Sequence, residues 1–491
     1  MTVLHPVKRG VPTALIAALL GLVSSSAWGH SFGQTYTLPV PIWLYLFGAA
    51  AALIVSFLMV GYFVGVDSFD LDERESRVWS VSPWLTCVFR YSSVGALALT
   101  IVAGFWGTDN AYRNINMTLF WVIFYLGFTY CTALAGNWFS VMNPFRVVAE
   151  IVERLRPGMF RGHWGYPNFL DHWPALFLYI AFVWIELLQH TTPFSLAAIL
   201  VTYIALNLFG CWAVSKAIWF ERCEFFGVFL GLIARIAPVR VEAQDKNATV
   251  AFRRPFGGLL QKGTSGLSLL LFILFMLSST AFDGLKETAV WVAAFWKNLY
   301  QLVLIPLYGN AAPVDYQTVK KLFRVYQSAA LLLSPIVYFL VYALFLWLAK
   351  IIAQSRMPLR PMLLAFGYSL IPIAFVYHVS HYYTLLQVQG AQMVRLVSDP
   401  LGYGWNLFGT GRLAVNVVPD LAFVWHAQVF MIVAGHVVSV YLAHVQALKI
   451  FPDRRNAILS QIPVLALMVA FTALGLWILS LPLSFGPVRL D

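Results

Sequence analysis

The chain has 491 residues, 60% of them apolar and only 11% charged, with 39 Phe, 22 Tyr and 18 Trp. A soluble fold of this size cannot bury so much apolar side chain, so the composition excludes a soluble globular domain and predicts an all-α polytopic transmembrane helix bundle. The formal charge of +11 is strewn through short loops between apolar runs, which is the pattern of topology-setting charge, so the lipid bilayer and not nucleic acid is the expected partner.

In chain order, the first stretch is MTVLHPVKRGVPTALIAALLGLVSSSAWGH. Lys8 and Arg9, a short apolar run and a small-residue segment give it the layout of a secretory signal over 1–29. Ala27 and Gly29 suit a cleavage site, which would make His30 the new N-terminus. Apolar runs then recur at 42–65, 86–106, 117–139, 173–190, 195–215, 265–283, 327–349, 361–383, 421–444 and 462–482. Each is about long enough for a 30 Å hydrocarbon core, so ten spans are predicted over a single membrane domain, 30–491. With the new N-terminus outside, the inner loops carry twenty Lys and Arg and the outer segments nine. That asymmetry orients the bundle.

Longer connections interrupt the spans. Inside, NPFRVVAEIVERLRP is amphipathic, and EFFGVFLGLIARIAPV is expected to lie in the interface or dip into it. Outside, the segments 284–326 and 384–420 are read as loops, the second with the turn chemistry of an ordered lid. No internal repeat is evident. Cys87, Cys131, Cys211 and Cys223 form neither a disulfide framework nor a CxxC clip.

Ionisable groups in lipid are costly and mark function. On the predicted topology they cluster on one membrane face. Glu186 and His190 lie four apart near the outer end of the fourth span, Asp283 ends the sixth, His378 and His381 share a helix face near the end of the eighth, and Asp420 and His426 begin the ninth. His30 falls on the same side. Imidazole with carboxylate suits a divalent metal ion, with zinc or copper the candidates. This reading makes His190, His378, His381, His426 and His30 candidate ligands, and Glu186 and Asp283 candidate catalytic carboxylates. Structural hydrogen bonding between helices and a transport path are the other readings of the same residues, and a free His30 amine and ring would suit copper-dependent oxidation. No P-loop, GxGxxG, GxSxG, HExxH or CxxCH is present.

Several stretches together, YTLPVPIWLYLFGAAAALIVSF, SSTAFDGL, HYYTLLQVQGAQMVRLVSDPLGYGWNLFGT and VWHAQVFMIVAGHVVSVYLAHVQAL, resemble the bacterial integral membrane proteins known as fenitrothion hydrolases. The resemblance runs from about residue 30 to the last helix, and SDPLGYGWNLFGT is its most specific part. It implies a two-subunit enzyme in the bacterial inner membrane that hydrolyses apolar organophosphorus triesters, with its active face toward the periplasm. A metal-bound hydroxide would suit that chemistry.

Overall fold

The computed structural model describes residues 40–64, 78–244, 247–260, 263–309, 315–413, 415, 417–451 and 453–481. The predicted signal segment 1–29 and His30 lie outside the described residues. Over the described residues the chain is an all-α, multi-pass membrane bundle. Eleven helices are long and apolar enough to cross a membrane. In chain order with the shorter elements, they are α1 (Ile42–Phe63), β1 (Val78–Val81), α2 (Pro83–Trp106), α3 (Ile115–Ala135), α4 (Pro144–Leu155), α5 (Trp173–Leu188), α6 (Pro193–Val214), α7 (Phe225–Ala234), β2 (Val239–Gln244), β3 (Asn247–Phe252), α8 (Leu267–Lys286), α9 (Ala289–Leu307), α10 (Tyr316–Ile352), α11 (Leu359–Leu396), α12 (Leu421–Ile450) and α13 (Arg454–Ser480).

Two outer segments differ from expectation. Within 284–326, α9 is an eleventh helix of spanning length. Its sequence is apolar and aromatic, and the Thr288 hydroxyl starts it by accepting from Trp291 N at 3.2 Å. Within 384–420, α11 continues to Leu396 before the true loop begins. Nothing from Ile371 to Leu396 breaks a helix except a tolerated Gly390, so the apolar count stops well before the hydrogen-bond ladder does. The loop beyond is ordered, as its turn residues suggest. Asp399 accepts from the amides of Tyr403 and Gly404 at 2.9 and 2.8 Å. Its neighbours Pro400 and Leu401 accept from Ile115 N and Thr108 N, so the loop is sewn to the α2–α3 connection.

Among the connections, β2 and β3 pair antiparallel and β1 adds to β3, giving a small sheet of order β1-β3-β2 that the apolar runs did not announce. The stretch EFFGVFLGLIARIAPV packs among the other helices. Its helix α7 is buried in the bundle, with Phe225, Phe229 and Ile233 at 3% exposure or less, because a carboxylate caps its start. Glu224 accepts from Phe226 N and Gly227 N at 3.0 and 2.8 Å, from Tyr203 Oη at 2.5 Å and from Asn143 Nδ2 at 2.9 Å. Four donors let a charge sit where water does not reach.

The centre of the bundle is α8, fourteen of whose twenty residues are buried. Around it lie α5, α10, α11 and α13. Lipid offers no hydrophobic contrast, so these helices associate by close packing and hydrogen bonds. Small residues permit the approach: a Cβ at Gly435 would collide with Val376, and one at Gly475 with the Tyr377 hydroxyl. Antiparallel α11 and α12 are further pinned by Gln428 Nε2 donating to Ser380 O at 2.8 Å and by a Ser439 hydroxyl donating to Ser369 O.

Replacing Glu224 with Ala is expected to remove on the order of 3 kcal/mol of stability, since it uncaps α7 and leaves Tyr203 and Asn143 without an acceptor. Glu224→Gln, which keeps one acceptor oxygen, should lose less. Unfolding in detergent checks the order of the two variants.

Candidate functional site

Asp283 lies in the last turn of α8, with Lys286 one turn on, so helix geometry puts ammonium and carboxylate side by side. Lys286 Nζ is 3.3 Å from Asp283 Oδ1 and 2.7 Å from Glu287 Oε1. From α11, His381 Nε2 reaches Asp283 Oδ2 at 2.6 Å. The adjacent Tyr382 hydroxyl lies 2.9 Å from the same Oδ2 and 3.0 Å from Glu186 Oε1 on α5. Three helices thus converge on one carboxylate. The Asp283 and Lys286 side chains are each only 10% exposed, so the charges neutralise one another largely out of solvent.

The hydrogen-bond inventory limits what the groups can do. Asp283 as a carboxylate only accepts, so His381 Nε2 donates to it, and Nδ1 is left as the basic nitrogen of the neutral ring. Tyr382 has one hydroxyl proton for two carboxyl oxygens. Its second contact is a hydrogen bond only when that carboxyl itself carries a proton. With Glu186 protonated, Glu186 donates to Tyr382 while Tyr382 and His381 both donate to Asp283, so the four side chains are joined by hydrogen bonds.

His378 lies one turn before Tyr382, buried among rings. Tyr125, Tyr130 and Tyr382 approach it edge-on at centroid distances of 5.3, 5.9 and 5.1 Å. Among the described residues, neither ring nitrogen has a hydrogen-bond partner. Tyr125 comes from Thr118–Phe128, a π-helical stretch of α3, and such segments redirect side chains and recur at functional sites.

Of the residues expected to share a site, the fold brings together Glu186, Asp283 and His381, with His378 behind them. It does not gather the others. His190 is exposed beyond the end of α5. His426 is exposed on α12, its Nδ1 bonded to Ala422 O at 2.7 Å and its Nε2 3.3 Å from the Tyr45 hydroxyl on α1. Asp420 caps α12, accepting from Ala422 N and Phe423 N. Among the described residues, no three His, Cys, Asp or Glu side chains converge to hold a metal ion.

The cluster lies at the ends of α5 and α8 but midway along α11. Helix α11 runs fifteen residues beyond His381, about 22 Å of helix rise, whereas α5 and α8 end within a turn of Glu186 and Asp283. Lys286, Tyr382 and Tyr125 escaped the sequence reading, although Lys286 stands three residues after Asp283 and Tyr382 directly follows His381. The i,i+3 charge pair was the legible signal.

His381 borders a narrow cleft between α8, α10, α11 and α13, lined chiefly by apolar groups such as Leu277, Gly284, Phe471, Gly475 and Ile478. A basic nitrogen at the wall of an apolar slot, oriented by a buried carboxylate, can take a proton from a polar group or water brought into that slot. Compared with models of protein families, with curated proteins and with solved structures, the chain matches none.

Asp283→Asn is expected to cost about 2 kcal/mol, because it takes from Lys286 the more buried of its two counter-charges, leaving Glu287, and replaces the charged acceptor of His381 and Tyr382 with a neutral one. Adding Lys286→Met should recover part of that loss. Thermal unfolding of the single and double variants in detergent checks it: a double variant less stable than Asp283→Asn alone would contradict the pairing.

Proposed function

We propose that this chain is a membrane-bound hydrolase of uncharged, apolar organophosphorus triesters, with His381 as general base and Asp283 as its positioning partner. The observation that carries the reading is the 2.6 Å contact between Asp283 Oδ2 and His381 Nε2 at the wall of an apolar cleft. The substrate class rests on the resemblance of SDPLGYGWNLFGT and its companion stretches to fenitrothion hydrolases.

In this mechanism water at His381 Nδ1 gives its proton to the ring while its oxygen attacks phosphorus. The bond from phosphorus to the aryl oxygen breaks, and the departing aryloxide takes the proton, leaving a phosphodiester and a phenol. Asp283 holds the ring in the required tautomer and stabilises the imidazolium. Lys286 supplies the counter-charge beside Asp283. No step is routed through zinc or copper, since among the described residues His190 and His426 lie apart from His378 and His381. The excess of Lys and Arg in the inner loops supports a periplasmic exposure of the cluster in a bacterial inner membrane, and the resemblance supports a second membrane subunit beside it.

The Glu186–Tyr382–Asp283–His381 chain favours a second reading, proton-coupled transport of a small solute. That reading requires flux across the bilayer, whereas hydrolysis requires only product.

The test uses membranes from a host expressing the chain with its partner subunit, supplied with nitrophenyl diethyl phosphate. Nitrophenol release above that of empty membranes is expected. His381→Gln should lower kcat by roughly 100-fold or more, in line with loss of a general base, and His378→Ala should lower it too, both without loss of membrane insertion. Absence of release from the wild type, or an unchanged rate in His381→Gln, would overturn the proposal.

A further inference from the structure

We propose that the substrate reaches His381 sideways from the lipid core, through the cleft between α10 and α13, and that this route restricts the enzyme to uncharged esters. The inference rests on the hydrolase reading for its substrate, but its geometry stands separately. Two other polar groups on the lining are committed to backbone carbonyls. Tyr377 donates to Phe471 O at 2.7 Å and Thr280 donates to Met276 O at 3.2 Å. Tyr338 stacks on Phe471 at 5.3 Å with the rings 19° apart. Among the described residues no Lys, Arg, Asp or Glu lines the slot, so a charged guest would enter without a counter-charge and would be rejected by its desolvation cost. An uncharged ester meets apolar walls and one basic nitrogen.

The slot also continues the lipid-facing surface. Leu474, on its lining, is 40% exposed and Trp477, one turn on, 37% exposed on α13, and Val337 and Leu340 are exposed on α10 beside Tyr338. The proline at 335 lies inside α10, one turn before Tyr338, and Pro463 lies inside α13, two turns before Phe471. Each removes a backbone hydrogen bond and makes a point where its helix can bend. Gly284 and Gly475 bring the backbones of α8, α11 and α13 together, since added Cβ atoms would meet Ile478 and Tyr377. The slot is therefore narrow at rest, and the Tyr338–Phe471 stack is the contact that parts when α13 swings.

An aryl diethyl phosphate carrying a trifluoromethyl-diazirine tests the route in lipid nanodiscs that hold the full chain. Illumination should label Tyr338, Phe471 and Leu474, excess nitrophenyl diethyl phosphate should suppress that labelling, and Leu474→Trp should lower it. Leu474→Trp should also raise KM about tenfold with kcat kept, the mark of lost binding without lost chemistry. Labelling confined to lipid-exposed positions such as Leu340, with no competition, would overturn the lateral route even if nitrophenol is released. Competed labelling of the slot without turnover would uphold the route and overturn the hydrolase reading alone.

Discussion

The arrangement of this bundle turns on one buried carboxylate. Asp283 sits where α5, α8 and α11 meet, and a lone charge there would be prohibitive. Lys286 supplies the compensating charge from the same helix, and His381 and Tyr382 supply directed hydrogen bonds from another. Because those partners come from different helices, satisfying Asp283 also fixes the rotation of α11 about its axis. With α11 set, Tyr377 turns toward α13, His378 toward α3, and Val376 into the gap left by Gly435.

The same logic recurs at the inner end with different chemistry. Glu224 is as buried as Asp283, but it is met by two backbone amides, a tyrosine and an asparagine and not by a cation. It closes a helix terminus and has no basic side chain oriented by it. The contrast separates a structural carboxylate from one that positions an imidazole, even though both are equally costly to leave unmet. Elsewhere the outer loop reaches its order by local turns: Asp399, Ser398 and Asn406 accept from nearby amides, and the loop packs over the α2–α3 connection and not over His381.

Much of this was legible in the sequence. Apolar runs located ten of the eleven spanning helices, because a lipid core demands long uninterrupted stretches. The eleventh, α9, was missed because Lys297 and Asn298 interrupt its apolar run and the neighbouring prolines and glycines looked like loop. The length of α11 was missed for a related reason: residues 384–396 are polar enough to end an apolar count without ending a helix. His381 therefore stands midway along α11, beside the ends of α5 and α8. The pairing of Asp283 with Glu186 and His381 could be expected only as a shared membrane face, since which face each helix presents depends on crossings that no single span encodes. His190 and His426 shared that face in projection yet point elsewhere, His426 toward Tyr45 on α1.

On this geometry Asp283 and His381 act as a single device. A double-mutant cycle read on phosphotriester turnover addresses it most directly, with Asp283→Asn, His381→Gln and the two combined. If Asp283 works by holding the imidazole, the combined variant should be scarcely slower than His381→Gln alone, the strong non-additivity expected of residues in contact. A combined loss equal to the product of the two single losses would show that the residues act independently, and would contradict the site as described.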